Sequence, residues 1–212
     1  MLAFDIETLG RLTQNPLPPI TCVCLYDAAN GISLKLRFYK VDTAEFETNK
    51  RVMLEHLDSA DSLAGYNAIH FDLAYIQIFF QIDAARVNAW ILKCHDPFMV
   101  VKYILKNTCG LNHLLALNGL GSKTGSGLDA ITLALNEKWV LLLDYCLMDA
   151  RLTYELCTLP SIAFSQRLRG ACGADGLWRF HVDTPRRTAM MVMAPLESVR
   201  PFCFDEAAYE ST

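Results

Sequence analysis

The sequence has no apolar run approaching the roughly 18 residues that a membrane-spanning helix requires, although 52% of its 212 residues are hydrophobic. Its first residues also lack the basic segment followed by an apolar stretch that marks a secretory signal. These absences argue against a helical membrane protein and against a secreted one. We therefore expect the chain to be cytoplasmic, or nuclear in a eukaryote, and to have no membrane partner.

Cysteine patterns typical of metal sites are also missing. The chain has eight cysteines, but no C-x-x-C and no paired Cys and His at the spacing of a zinc site. Cys22 and Cys24 lie close together in an apolar stretch, and the others are scattered. Because no secretory signal precedes them, we expect all eight to be reduced and to act as small hydrophobic side chains.

The chain has no excess of positive charge. Its 19 Lys and Arg against 23 Asp and Glu give a formal net charge of −4. This balance argues against a protein that holds nucleic acid mainly through its charge. It is compatible with an enzyme that touches a few nucleotides and carries cations in an acidic site.

What the sequence does contain is an ordered series of strand and helix patterns. Strands are predicted at the N-terminus and at 20–27 and 32–40, a helix at 43–60, a short strand at 62–67 and a helix at 70–81. A brief strand within KCHDPF and several helices follow. This order predicts an α/β fold of the ribonuclease H type, with a mixed five-stranded sheet flanked by helices.

The composition changes near residue 160. Residues 161–200 carry six Arg against two Asp and one Glu, and the segments WRFHVD and TAMMVMAP are compatible with a hairpin. We predict a ribonuclease H-like domain over 1–159 and a short C-terminal extension over 160–212, whose role the sequence does not indicate.

Carboxylates occur in three unusual contexts. FDIET places Asp5 and Glu7 on one side of an apolar strand, because side chains two apart in a strand share a face. Asp72 opens a predicted helix directly after a strand and a turn. Asp149 lies four residues after Tyr145 on a leucine-rich helix, so these two side chains share one helix face. Hard oxygen ligands that converge from a strand and two helices favour Mg²⁺ or Mn²⁺.

Together, these three segments resemble the exonuclease motifs of the DEDD (DnaQ-like) superfamily of 3′–5′ exonucleases, which has a ribonuclease H-like fold. FDIET matches the first motif, Asn67 to Asp72 matches N-x-x-x-F-D, and Tyr145 to Asp149 matches Y-x-x-x-D. The histidine subclass would place histidine where this chain has Asp144, so the resemblance is to the tyrosine type. The sequences NAIHFD and YCLMDARLT are most similar to the proofreading domains of family B DNA polymerases.

The resemblance implies hydrolysis of phosphodiester bonds at the 3′ end of single-stranded DNA, with release of nucleoside 5′-monophosphates. It implies that Asp5, Glu7, Asp72 and Asp149 hold two divalent cations, Mg²⁺ or Mn²⁺, and that Tyr145 orients the attacking water. Such paired ions clamp the attacking and leaving oxygens of phosphoryl transfer.

The resemblance also implies substrate contacts. Thr8 and Leu9 would line the terminal nucleotide, with Leu9 as a wedge against the last base, and Asn67 and Phe71 would contact the strand behind it. Lys123, in the loop GLGSKTGSG, is a further candidate for a phosphate contact.

Two alternative functions remain open at this point. The first is an exoribonuclease, because the motifs do not distinguish deoxyribose from ribose, a difference that proteins read through contacts with the 2′-hydroxyl. A catalytically silent exonuclease fold that docks to a replication or repair protein is the second alternative. Retention of all four carboxylates and of the tyrosine favours an enzyme.

Overall fold

The computed structural model describes residues 1–104, 109–122, 127–165 and 177–181. Its strands are β1 (Leu2–Thr8), β2 (Ile20–Asp27), β3 (Ile32–Arg37), β4 (Leu63–Ala64), β5 (Cys94–His95), β6 (Ser161–Ser165) and β7 (Leu177–His181). Its helices are α1 (Thr43–Ser59), α2 (Asp72–Phe80), α3 (Ala84–Leu92), α4 (Pro97–Met99), α5 (Leu111–Leu117), α6 (Gly127–Leu135) and α7 (Trp139–Cys157), and α4 continues as a π-helical segment, Val100–Ile104.

The first five strands form one mixed sheet in the order β3-β2-β1-β4-β5. β1 and β2 pair antiparallel, as do β2 and β3, whereas β4 pairs parallel with both β1 and β5. The sheet and its flanking helices confirm the predicted α/β class with a mixed five-stranded sheet, and the topology is compatible with the ribonuclease H type.

One face of the sheet carries the main hydrophobic core. The alternate β1 side chains Leu2, Phe4 and Ile6 pack there with Val23 and Leu25 of β2. Helices α1, α2 and α3 cover this face with apolar side chains that include Met53, Leu57, Leu73, Ile76 and Trp90. Burial of this continuous apolar surface is the dominant favourable term for the fold.

The opposite face of the sheet is covered by α7, which packs across β1, β2 and β3. Asp5 and Glu7 point to this face, because residues that alternate with Phe4 and Ile6 must face the other way. Asp5 lies directly opposite Cys24, and Glu7 opposite Cys22. The two FDIET carboxylates therefore face a helix and are half-buried.

β4 and β5 are only two residues long each, shorter than the predicted strand over 62–67. β4 pairs with β1 only at Leu2 and Ala3. Beyond Ala3, no strand among the described residues pairs with that edge of β1, and the chain after β4 turns instead into α2.

Strand β6, which begins just after the predicted boundary at residue 160, packs against α5 and α7. Ile162 and Phe164 of β6 are buried with leucines of α5 and α7. The Asn118 side chain bonds the backbone of Ala163 twice, at 2.7 and 3.0 Å. β6 pairs antiparallel with β7, which is the WRFH segment of the predicted hairpin, while TAMMVMAP lies outside the described residues.

Among the residues described, the helices are all too short or too polar to traverse a bilayer.

Candidate metal centre

Three of the predicted carboxylates converge between the sheet and α7. One ligand oxygen from each of Asp5, Glu7 and Asp149 lies within 4.8 Å of the other two. β1 supplies the first two, and α7 supplies Asp149, whose side chain is 3% exposed. The structure thus brings together residues that are more than a hundred positions apart in the chain.

Asp72 lies beside this cluster and makes a different contact. Its Oδ1 accepts a hydrogen bond from the backbone N–H of Ile6 at 3.1 Å. That N–H sits on the edge of β1 where β4 has already ended, so the carboxylate takes the place of a missing strand. Asp72 is therefore held against the backbone between Asp5 and Glu7, and it is 4% exposed.

The electrostatics around Asp72 favour its protonated form in the absence of cations. Burial raises the pKa of Asp72 to about 7, the negative charges of Asp96 and Asp149 add to the rise, and the Ile6 amide opposes it. A carboxylate in this position is stabilised by a cation that compensates the neighbouring charges.

Tyr145 lies one helical turn before Asp149 on α7 and is 7% exposed. Its ring belongs to an apolar cluster with Leu142 and Cys146. Positions i and i+4 of a helix are neighbours on one face, so the phenol and the Asp149 carboxylate lie on the same side of α7.

The structure adds Asp96, which the sequence analysis did not single out. Asp96 follows β5 and is 6% exposed. Its Oδ1 accepts from the backbone N–H of Asn67 at 2.8 Å and of Phe98 at 3.1 Å, and its Oδ2 accepts from Ile69 at 3.1 Å. Burial raises the pKa of Asp96 to about 6 in spite of these amide donors.

Asp96 thereby fixes the turn that leads from β4 to Asp72. Within this turn, Asn67 adopts a φ of 62°, a left-handed conformation that Asn tolerates better than most residues. Gly65 is required by close packing, because a Cβ there would lie 2.2 Å from the Cβ of Ala68. In the sequence, Asp96 is visible only as an Asp directly before Pro97, and that pattern alone indicates an ordinary helix cap.

The residues predicted to contact substrate are placed as follows. Thr8 ends β1, is buried, and its hydroxyl donates to the carbonyl of Gly10 at 2.6 Å. Leu9 is half-buried and packs against the apolar cluster of α6 and α7. Asn67 and Phe71 are half-buried, and the Phe71 ring lies against Tyr75 with centroids 5.5 Å apart. Lys123 lies outside the described residues.

The donor set fits a hard divalent cation. Asp5, Glu7 and Asp149 offer only carboxylate oxygens at their point of convergence, and oxygen ligands are those that Mg²⁺ and Mn²⁺ prefer. Three like charges this close repel one another strongly unless a cation is present.

No protein-family model matches this chain, and no curated protein matches it in sequence. The fold is similar to that of the family B DNA polymerase from the hyperthermophilic archaeon Pyrobaculum calidifontis, with a TM-score of 0.57 and 17% sequence identity. The similarity covers 74% of this chain and 24% of the polymerase chain. This chain thus corresponds to about a quarter of the length of that protein, and the likeness shows the fold.

Proposed function

We propose that this chain is a metal-dependent 3′–5′ exonuclease of the tyrosine type that acts on single-stranded DNA and releases nucleoside 5′-monophosphates. The observation that carries the proposal is the convergence of Asp5, Glu7 and Asp149 within 4.8 Å of one another. The fold likeness to part of a DNA polymerase supports nucleic acid as the substrate class.

In this proposal Asp5, Glu7 and Asp149 would hold one divalent cation. Asp5 would also hold a second, together with Asp72, which would bind it directly or through water. When bound, the ions supply Lewis-acid stabilisation of the attacking and leaving oxygens. The protein fixes the four carboxylates on a sheet strand and two helices, so that little rearrangement is needed during the reaction.

The remaining residues act on the water and on the strand. The Tyr145 hydroxyl, on the same side of α7 as Asp149, orients the attacking water through a hydrogen bond. Thr8 and Leu9, at the end of β1, line the position of the terminal nucleotide, and Asn67 and Phe71 contact the nucleotide behind it.

A matched pair of oligonucleotides separates this proposal from its alternatives. Single-stranded DNA and its RNA twin are incubated with the protein and Mg²⁺, Mn²⁺ or EDTA. We expect the DNA to be degraded with either metal and to stay intact with EDTA. Faster loss of the RNA would point to an exoribonuclease, and intact DNA and RNA beside a folded protein would point to a silent binding module.

Removal of the Tyr145 hydroxyl gives a first prediction. Tyr145→Phe keeps the ring in the apolar cluster and removes only the group that orients water, so the degradation rate should fall about 10²-fold. The stabilisation of the protein by Mn²⁺, measured as a shift in melting temperature, should stay as in the wild type. An unchanged rate would remove Tyr145 from the catalytic residues.

The pKa of Asp72 gives a second prediction, on pH. The folded-state pKa of about 7 exceeds the ordinary value, so without metal the contribution of Asp72 to stability is lost as pH rises towards and through 7. Cation binding requires the deprotonated form. The affinity for Mn²⁺ should therefore rise about tenfold per pH unit up to pH 7 and level off above it.

Isothermal titration calorimetry with Mn²⁺ at several pH values measures this dependence, and Asp72→Asn is its control. The variant has no proton to release at this position, so its Mn²⁺ affinity should be weaker and should vary less between pH 6 and pH 7. The same slope in wild type and variant would contradict the assignment.

A further inference from the structure

Three cysteines that are separate in sequence meet between the sheet and α7. Cys22 and Cys24 alternate along β2, so both point to the face that α7 covers. Cys146 reaches them from α7. One sulfur from each of the three lies within 4.8 Å of the other two, and all three side chains are 0% exposed.

The surroundings of the three sulfurs exclude water. Ala130 and Ala134 of α6 and Leu142 of α7 belong to the same buried cluster. Two of the sulfurs contact main-chain carbonyls: Cys146 donates to the carbonyl of Asp5 at 3.3 Å, and Cys24 to that of Leu143 at 3.5 Å. A thiol is a weak donor, so these two bonds are readily exchanged for stronger interactions.

The spacing of the sulfurs is close to that of a thiolate metal site. A cation bonded to three thiolate sulfurs at about 2.3 Å holds those sulfurs about 3.8 to 4.0 Å apart. The distances here, within 4.8 Å, exceed this value by at most about 1 Å. Movements of a few tenths of an ångström in each side chain would close the site.

The chemistry of the three sulfurs differs from that of the neighbouring carboxylates. Thiolates select soft d¹⁰ cations such as Zn²⁺ and Cu⁺, whereas carboxylates select Mg²⁺ and Mn²⁺. The two groups lie side by side, since Cys24 is directly opposite Asp5 and Cys22 is opposite Glu7. The same face of the sheet therefore offers a hard and a soft ligand set on adjacent strands.

We propose that Cys22, Cys24 and Cys146 form a binding site for one thiophilic cation of the Zn²⁺ or Cu⁺ class, separate from the carboxylate cluster. Binding exchanges the thiol protons for metal–sulfur bonds and releases those protons to solvent. Because the ligands come from β2 and α7, an occupied site ties the helix that carries Tyr145 and Asp149 to the sheet. Occupancy therefore stabilises the folded protein.

Cd²⁺ is the probe for this site, because its bonds to sulfur give a charge-transfer absorption in the ultraviolet. The protein is refolded from urea with Cd²⁺ and excess Mg²⁺, so that burial of the site does not limit entry. Bound Cd²⁺ is then counted after gel filtration. The expected result is one more Cd²⁺ per chain, with sulfur-to-metal absorption, in the wild type than in Cys146→Ser or Cys24→Ala.

Two control variants test whether the additional Cd²⁺ is bound by the three cysteines and not by other side chains. Cys157→Ser alters a cysteine that is also buried on α7 but outside the cluster, and it should retain the additional Cd²⁺. Asp149→Asn should retain it as well, because its side chain belongs to the carboxylate set. Circular dichroism and a cooperative melt show which variants are folded, and either Cys146→Ser or Cys24→Ala is sufficient for the comparison.

Equal Cd²⁺ content in the wild type and the folded cluster variant, or no charge-transfer band in the wild type, would overturn the proposal. Refolding with the same Cd²⁺ and an excess of a competing cation identifies the class: loss of the additional Cd²⁺ to Zn²⁺ identifies a divalent site, and loss to Cu⁺ alone identifies a cuprous one. Retention of the additional Cd²⁺ against both cations would overturn the assignment to this class.

Discussion

Asp149→Asn should lower the rate of 3′-end degradation by about 10³-fold or more, because it removes a charged ligand from the proposed metal centre and changes the side-chain volume very little. Asp149 is 3% exposed and has a ligand oxygen within 4.8 Å of those of Asp5 and Glu7. The variant should also lose most of the stabilisation by Mn²⁺, measured as a shift in melting temperature. Without metal it should melt above the wild type, because one of three crowded negative charges is gone.

Asp144→Asn is the matched control for this prediction. Asp144 lies on the same helix, but it is exposed and pairs with Lys35 of β3. An exposed ion pair contributes little to stability, so the variant should degrade DNA and respond to Mn²⁺ as the wild type does. Equal losses in both variants would mean that the effect comes from the helix as a whole and not from the carboxylate cluster.

Asp96→Asn should destabilise the protein by about 2 kcal/mol, because the amide presents a donor where the carboxylate accepts backbone N–H groups. In the structure Asp96 accepts from Asn67, Ile69 and Phe98. For a chain of this size the loss corresponds to a decrease in melting temperature of about 4–8 °C. Thermal unfolding followed by circular dichroism measures it.

The same variant should also slow degradation, because the turn that Asp96 holds leads directly to Asp72. If Asp96 acts by positioning Asp72, Asp96→Asn should bind Mn²⁺ more weakly than the wild type. Tyr145→Phe should lower the degradation rate by the same factor in the Asp96→Asn protein as in the wild type. Asp61→Asn, at an exposed position just before β4, should leave both stability and rate unchanged. A destabilised Asp96→Asn protein that degrades DNA at the wild-type rate would restrict Asp96 to a structural role.

The sequence predicted the sheet and the relative direction of the FDIET carboxylates, because alternation along a strand is a local rule. Asp5 and Glu7 had to face away from Phe4 and Ile6, and the structure adds that α7 covers that face. Tyr145 and Asp149 share a helix face for the same local reason.

Contacts between residues that are distant in the sequence could not be predicted from such local patterns. The contact of Asp72 with the Ile6 amide depends on the early end of β4, which was predicted to be longer. Asp96 reaches the turn before α2 only because β5 lies next to β4. A short strand carries too few residues for a period-two pattern, so its length and its neighbours are decided by tertiary packing.

The cysteine cluster likewise could not be predicted from the sequence. Spacing rules for metal sites require ligands near one another in sequence, and Cys22 and Cys24 alone do not satisfy them. Cys146 comes to them through the packing of α7 on β2. A ligand set assembled from a strand and a distant helix is visible only in three dimensions.

The polarity of degradation is measured with one single-stranded DNA oligonucleotide, labelled either at its 5′ end or at its 3′ end, with Mn²⁺ present. We expect a ladder of progressively shorter products from the 5′-labelled strand. We also expect immediate release of a labelled nucleoside 5′-monophosphate from the 3′-labelled strand, and neither product with Asp149→Asn. Release of a labelled mononucleotide first from the 5′ end, or an identical pattern with Asp149→Asn, would contradict a 3′–5′ exonuclease built on this carboxylate cluster.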